Sequence, residues 1–139
     1  LAAGDVAREL GLRRRLRLVG FATTGVEPHL MGLGPIPATQ QLLARHSLSL
    51  EDVDAIELNE PFAVQVLAWC DALGVDPADA RLNPYGGAIA CGHPLAATGA
   101  RLIAQLAHRL EETGGRYGLC ALCVGMGMGV ALLWERCDG

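Results

Sequence analysis

His93 lies in a Gly92-His93-Pro94 triplet, and further along Cys123 opens a glycine-alternating run, CVGMGMG. An imidazole and a thiol are the side chains best suited to proton transfer near neutral pH, provided each sits where a structural element ends. A third group, Asn59 in Asn59-Glu60-Pro61-Phe62, could orient a water or donate to an oxyanion. The glycines after Cys123 allow backbone to approach a ligand and can turn N–H groups toward developing negative charge.

Each of these residues also has a plainer reading. His93 alone suits a helix-capping histidine, Cys123 a buried inert thiol, and Asn59 a turn or cap. Glu60 either supports the histidine or caps a helix. His29, His46 and His108 read as surface or packing residues. Cys120 and Cys123 form a C-x-x-C string, but residues three apart on a strand point to opposite faces, so the two thiols should not meet. No second C-x-x-C completes a metal site, and no bound metal is expected.

These groups need elements that hold them together. Residues 5–12 read as a short helix ended by Gly11, and residues 15–23 as a strand with Leu16, Leu18 and Gly20 facing away from Arg17, Val19 and Phe21. A Gly/Pro loop follows, then a helix opened by Pro35 and Pro37. After a turn at residues 49–53 comes a short strand, 54–59. Pro61 is expected to open the next helix, with Val64, Leu67 and Ala68 on its apolar stripe and Gly74 as its stop. Pro94 is expected to open the most hydrophobic helix, carrying Leu95, Leu102, Ile103, Leu106 and Leu110 and ended by Gly114-Gly115. That helix reads as buried on nearly all sides. Residues 117–124 and 130–135 close the chain as two strands. The order predicts an α/β layered domain with a mixed β-sheet of four or five strands and helices on both faces. In such sheets ligand sites gather beyond the carboxyl ends of the strands, where Asn59 and Cys123 both fall.

Composition narrows the partners. The chain has 139 residues, 51% hydrophobic and 19% charged, with a formal net charge of -4. That is room for one domain, with apolar surface to spare for a partner. Its basic residues are all arginine, and the acidic balance argues against nucleic acid. The cluster Arg13, Arg14, Arg15 and Arg17 reads as a solvated lead into a strand, or else as a contact to ligand phosphates. Five cysteines, an odd number, fit reduced thiols and a cytoplasmic setting. The uncharged run 117–134 is broken by glycines, so no membrane span is expected. The chain opens at Leu1 in what reads as an existing helix, as a piece of a longer protein would.

Four motifs in order carry a resemblance: MGLGPIPA (31–38), NEPFA (59–63), NPYGGAIACGHPLAATGAR (83–101) and CVGMG (123–127). Together they resemble the C-terminal half of the thiolases, over nearly the whole chain from about Arg15 onward. The resemblance implies residues 15–139 as the thiolase C-terminal domain, with residues 1–14 a helix and lead-in from an N-terminal half. It implies two similar α/β halves with the helix after Pro94 at the centre. The implied activity is cleavage of 3-ketoacyl-CoA by coenzyme A, or the reverse condensation, with CoA as substrate rather than cofactor. His93 would activate a nucleophilic cysteine in the N-terminal half. Asn59 would hold a water beside it, Cys123 would be the second acid/base, and the Gly125 N–H would serve an oxyanion hole. Met31 and Phe62 would line the channel for the pantetheine arm. An acyl-CoA ligand, the N-terminal half and a homo-oligomer are the implied partners.

The chain departs from the commonest family pattern at Pro61, Tyr85, Ala96, Thr98 and Met126; the last three stand for glycine, serine and glycine. Tyr85 and Met126 would reshape the acyl pocket. None of the five cysteines lies in a context like the family nucleophile, so this chain alone is expected to be inactive. The alternatives are a non-catalytic thiolase-like acyl-CoA or lipid-binding protein, and a purely structural partner domain.

Overall fold

The computed structural model describes residues 2–13 and 15–137. A short helix α1 (Gly4–Glu9) leads to strand β1 (Leu16–Gly25), a 3-10 segment (Pro28–Leu33) and helix α2 (Pro35–Arg45). Strand β2 (Ala55–Leu58) is followed by α3 (Ala63–Leu73), the short α4 (Ala88–Cys91) and the long α5 (Thr98–Thr113). Strands β3 (Tyr117–Val124) and β4 (Met128–Arg136) close the chain. The sheet is mixed, in the order β1-β4-β3-β2. β1 and β3 each run antiparallel to β4, whereas β2 runs parallel to β3.

Two cores sandwich this sheet. On one face α2 and α3 bury Leu42, Leu58, Trp69, Leu119, Ala131 and Leu133. On the other, α5 packs Leu102, Leu106 and Leu110 against Ala55, Cys120 and Trp134. Cys120 therefore points at α5, while the Cys123 thiol reaches Gln65 of α3, as the strand period requires. The first layer closes tightly at one place. A Cβ on Gly129 would lie 2.0 Å from the Gly34 carbonyl, so only two glycines let β4 touch the start of α2.

Several expectations need correction. Neither Pro61 nor Pro94 is a helix residue: Phe62 is extended (φ -148, ψ 139) and α3 starts at Ala63. After Pro94 the chain turns through Ala96 at φ 65, and α5 begins only at Thr98, leaving Leu95 82% exposed. Proline sets its own φ, but the residues after it decide whether a helix continues. On α3 the buried face is Gln65, Trp69 and Cys70, while Val64 and Leu67 stay exposed. Nor is α5 buried on nearly all sides in this chain. Thr98, Leu102, Leu106, Ala107 and Leu110 are buried, but Ala100, Ala104 and His108 are exposed. On β1, pairing shifts between Leu18 and Gly20, so the strict alternation breaks and Val19 joins the same core as Ala22.

The basic cluster is engaged within the chain. Arg13 and Arg15 both pair with Glu111, and Arg17 pairs with Glu135, which Arg116 also contacts at 2.8 Å. Arg14 lies outside the described residues. Among the described residues no helix is long and apolar enough to cross a membrane.

Ala96 (φ 65) and Met126 (φ 62) occupy the left-handed region that favours glycine. At both positions the family resemblance implies a glycine. Ala96→Gly and Met126→Gly should each raise stability by about 0.5–1 kcal/mol, the relief of the Cβ clash less the added chain entropy of glycine. Gly129→Ala should instead cost about 3 kcal/mol. Urea midpoints of the three variants against wild type check the opposite signs.

Candidate active site

The parallel pairing of β2 with β3 builds the site. Leu58 lies opposite Ala121, and the Asn59 N–H donates to the Ala121 carbonyl at 2.9 Å. Asn59 and Cys123 thus stand at the carboxyl ends of adjacent strands. The start of α5 comes to the same end, because Gly99 packs near the Leu122 side chain. His93 lies five residues before that helix, on the segment that leads into this end of the sheet, and Gly125 lies in the turn that follows β3 there.

Asn59 is fully buried, and neither its carboxamide oxygen nor its nitrogen has a hydrogen-bond partner among the described residues. A cap or turn role would have given it one, since α3 has Phe62 at its N-cap with no side-chain cap bond. Such a group, buried with both ends free, is fitted to hold a water or a polar part of a ligand.

The strand end beneath Asn59 is clasped by Asn83, which the sequence reading did not single out. Its carboxamide oxygen accepts the Leu58 N–H at 2.8 Å, and its nitrogen donates to the Leu58 carbonyl at 2.9 Å. The same nitrogen donates to Glu60 Oε1 at 2.6 Å. Asn83 stands in for the next strand residue and holds φ 45 to do so. Glu60, whose role the sequence left open, belongs to this clasp. Its other oxygen accepts the Ile89 N–H at 3.3 Å, at the start of α4, the segment that leads into His93.

His93 is exposed, and its Nδ1 lies 2.7 Å from the Thr98 hydroxyl. Thr98 is buried and its hydroxyl also reaches the Pro94 carbonyl at 3.1 Å. His93 is therefore no helix cap, since α5 has Ala97 at its N-cap. Cys123 is half-buried, and its thiol donates to Gln65 Oε1 at 3.6 Å. Gln65 was also missed; nothing but its place on the inner face of α3 marks it. Gly125 is exposed in the three-residue turn after Cys123, beside Met126 and Gly127. Met31 is half-buried in the 3-10 segment, which also packs near Gln65 through Gly32. Phe62 is 57% exposed at the mouth of α3. Tyr85 turns its hydroxyl to Glu112 of α5.

Comparison with known proteins agrees with this architecture. Residues 12–136 match the thiolase C-terminal domain family. The chain belongs to it. The β-ketoadipyl-CoA thiolase of Pseudomonas knackmussii is 53% identical over 136 residues, 98% of this chain and 34% of that protein. The 3-oxoadipyl-CoA/3-oxo-5,6-dehydrosuberyl-CoA thiolase of Escherichia coli is 50% identical with the same coverage. The crystal structure of the Bacillus anthracis acetyl-CoA acetyltransferase superposes with a TM-score of 0.89 at 41% identity, covering 97% of this chain and 34% of that one. The chain thus spans about a third of the length of these relatives.

One titrating group lies just below the site. Glu57 of β2 is 1% exposed, and neither carboxylate oxygen has a hydrogen-bond partner among the described residues. Burial raises its pKa to about 7, against the pull of Arg101 on α5 and with a smaller push from Glu60. A raised carboxyl pKa means that the folded state keeps a proton the unfolded chain has released. Glu57 therefore costs stability as pH rises from about 4.5 to about 7. Asp52, Asp79 and Glu135 work in a lower window. Hydrogen bonds from the Ser49 backbone, the Arg81 side chain and Arg17, respectively, hold their pKa values down, so their contribution is lost on acidification. Glu57→Gln should flatten the fall in thermal midpoint between pH 5 and 7, a difference on the order of 2–3 kcal/mol. It should leave the acid limb below that unchanged. Midpoints across a pH series for both proteins check this.

Proposed function

We propose that this domain supplies the acid/base and oxyanion groups of a thiolase that cleaves 3-ketoacyl-CoA with coenzyme A or runs the condensation in reverse. The observation that carries the reading is the fully buried, unpartnered Asn59 carboxamide at the same sheet end as Cys123 and the His93 segment. The family pattern puts the nucleophilic cysteine in an N-terminal half, and residues 15–139 form the complementary domain, with residues 1–14 as its lead-in. Coenzyme A enters as substrate, no metal takes part, and the working enzyme is a cytoplasmic homo-oligomer.

In the thiolysis direction, His93 Nε2 takes the proton of the N-terminal thiol, and the thiolate attacks the 3-keto carbon. The oxygen that becomes negative is met by His93 and by a water on Asn59. The bond between C2 and C3 then breaks, and the leaving enolate takes a proton from Cys123. The Cys123 sulfur lies 3.6 Å from Gln65 Oε1, an oxygen able to accept an S–H. Cys123, now a thiolate, deprotonates the incoming coenzyme A, which displaces the acyl group from the enzyme. The Gly125 N–H serves the thioester oxygen, and Met31 and Phe62 line the pantetheine channel. The 53% identity to a β-ketoadipyl-CoA thiolase makes 3-oxoadipyl-CoA the first substrate to assay.

The test joins this domain to its N-terminal half and measures thiolysis of 3-oxoadipyl-CoA and acetoacetyl-CoA. Wild type should turn over, while His93→Ala and Cys123→Ala should each lose roughly 100-fold or more in kcat. An inactive wild-type assembly, or either variant at the wild-type rate, would refute the assignment.

A further inference from the structure

The Thr98 hydroxyl has two neighbours and one proton. It lies 2.7 Å from His93 Nδ1 and 3.1 Å from the Pro94 carbonyl, which also accepts the Ala97 and Thr98 N–H groups at 3.0 Å each. If the hydroxyl proton turns to Nδ1, the ring must carry its own proton on Nε2 and cannot act there as a base. If it turns to Pro94, the hydroxyl oxygen accepts Nδ1–H and leaves a lone pair on Nε2.

We propose that Thr98 is a positioning residue that holds His93 as the Nδ1–H tautomer, with the threonine proton directed at the Pro94 carbonyl. The proposal rests on the thiolase reading for the use of Nε2, though not for the hydrogen bond itself. Two features favour this direction over the other. Thr98 is the first residue of α5 and 2% exposed, so its oxygen is fixed against the helix and sheltered from water. A threonine in a helix commonly turns its hydroxyl to the carbonyl four residues back, which here is Pro94. The arrangement also serves both protonation states. Once Nε2 has taken the thiol proton, the imidazolium must donate at Nδ1, and Thr98 already accepts there. No hydroxyl has to turn during the reaction, which is the preorganisation that electrostatic catalysis requires. A serine can make the same pair of bonds.

The test uses the assembled two-half enzyme labelled with 15N-histidine, and His93→Asn assigns the His93 signals by difference. Wild type and Thr98→Ser should show the Nδ1–H tautomer. Thr98→Val, which keeps the shape and removes the hydroxyl, should shift the ring toward Nε2–H. It should also lower kcat/KM roughly tenfold, the worth of one hydrogen bond, with KM for the acyl-CoA unchanged. Thr98→Ser should restore most of the rate, which separates positioning from a fold defect. An Nε2–H ring in wild type overturns the proposal, as does a Thr98→Val enzyme with wild-type tautomer and rate. An inactive wild-type assembly that still shows Nδ1–H would defeat the thiolase reading and leave the role of Thr98 standing.

Discussion

The parallel pairing of β2 with β3 governs everything else in this domain. Parallel neighbours cannot be joined by a tight turn, so the chain between them must cross over and return. Here the crossover carries α3, the Asn83 clasp, α4, the His93 segment and α5. It covers both faces of the sheet before β3 begins. The pairing fixes Leu58 opposite Ala121, and from that register follow the positions of Asn59 and Cys123 at one end of the sheet. A slip of one residue would turn Asn59 and Cys123 each to the other face of the sheet.

The site is held by short polar contacts rather than by packing alone. Asn83 ends the β2 edge by imitating a strand residue, and Glu60 ties that clasp to the start of α4. Thr98 fixes the imidazole from the helix that follows, and Gln65 takes the thiol from the helix on the opposite face. His93 and Cys123 thus each have one partner from a different element. Glu57 and Arg101 lie beneath, between β2 and α5, with four buried polar atoms that have no hydrogen-bond partner among the described residues. Such a layer costs stability, and natural proteins keep costs of that kind near sites of function.

Much of this was legible in the residues, and the misses have a common cause. The bounds of β3 were read correctly because the uncharged run from Tyr117 to Val124 is closed by Gly115 and Gly125 on either side. The glycine stops at Gly74 and Gly114 both hold, at φ 68 and 71. The two prolines misled, because Pro61 and Pro94 suit a first helical turn, yet Phe62 is extended and Ala96 is left-handed. On α3 two stripes were available. Trp69 and Gln65 won the sheet-facing side because the sheet, not the helix, decides which stripe is covered. Asn83 and Gln65 were missed because a polar residue in a loop or on a helix carries no mark of the backbone group or thiol it will meet.

By itself the sequence, which read residues 83–92 as loop and extended chain where the short α4 forms, determined most of the element types, the mixed α/β class and the family. These follow from local periodicity, from glycine and proline, and from motifs whose residues lie close along the chain. Only the tertiary structure decided that Asn59 is left unpaired, that Asn83 closes the strand, and that Thr98 sits against His93. Those facts depend on distances between segments far apart in sequence. The parallel crossover that sets such distances is not written at any one position.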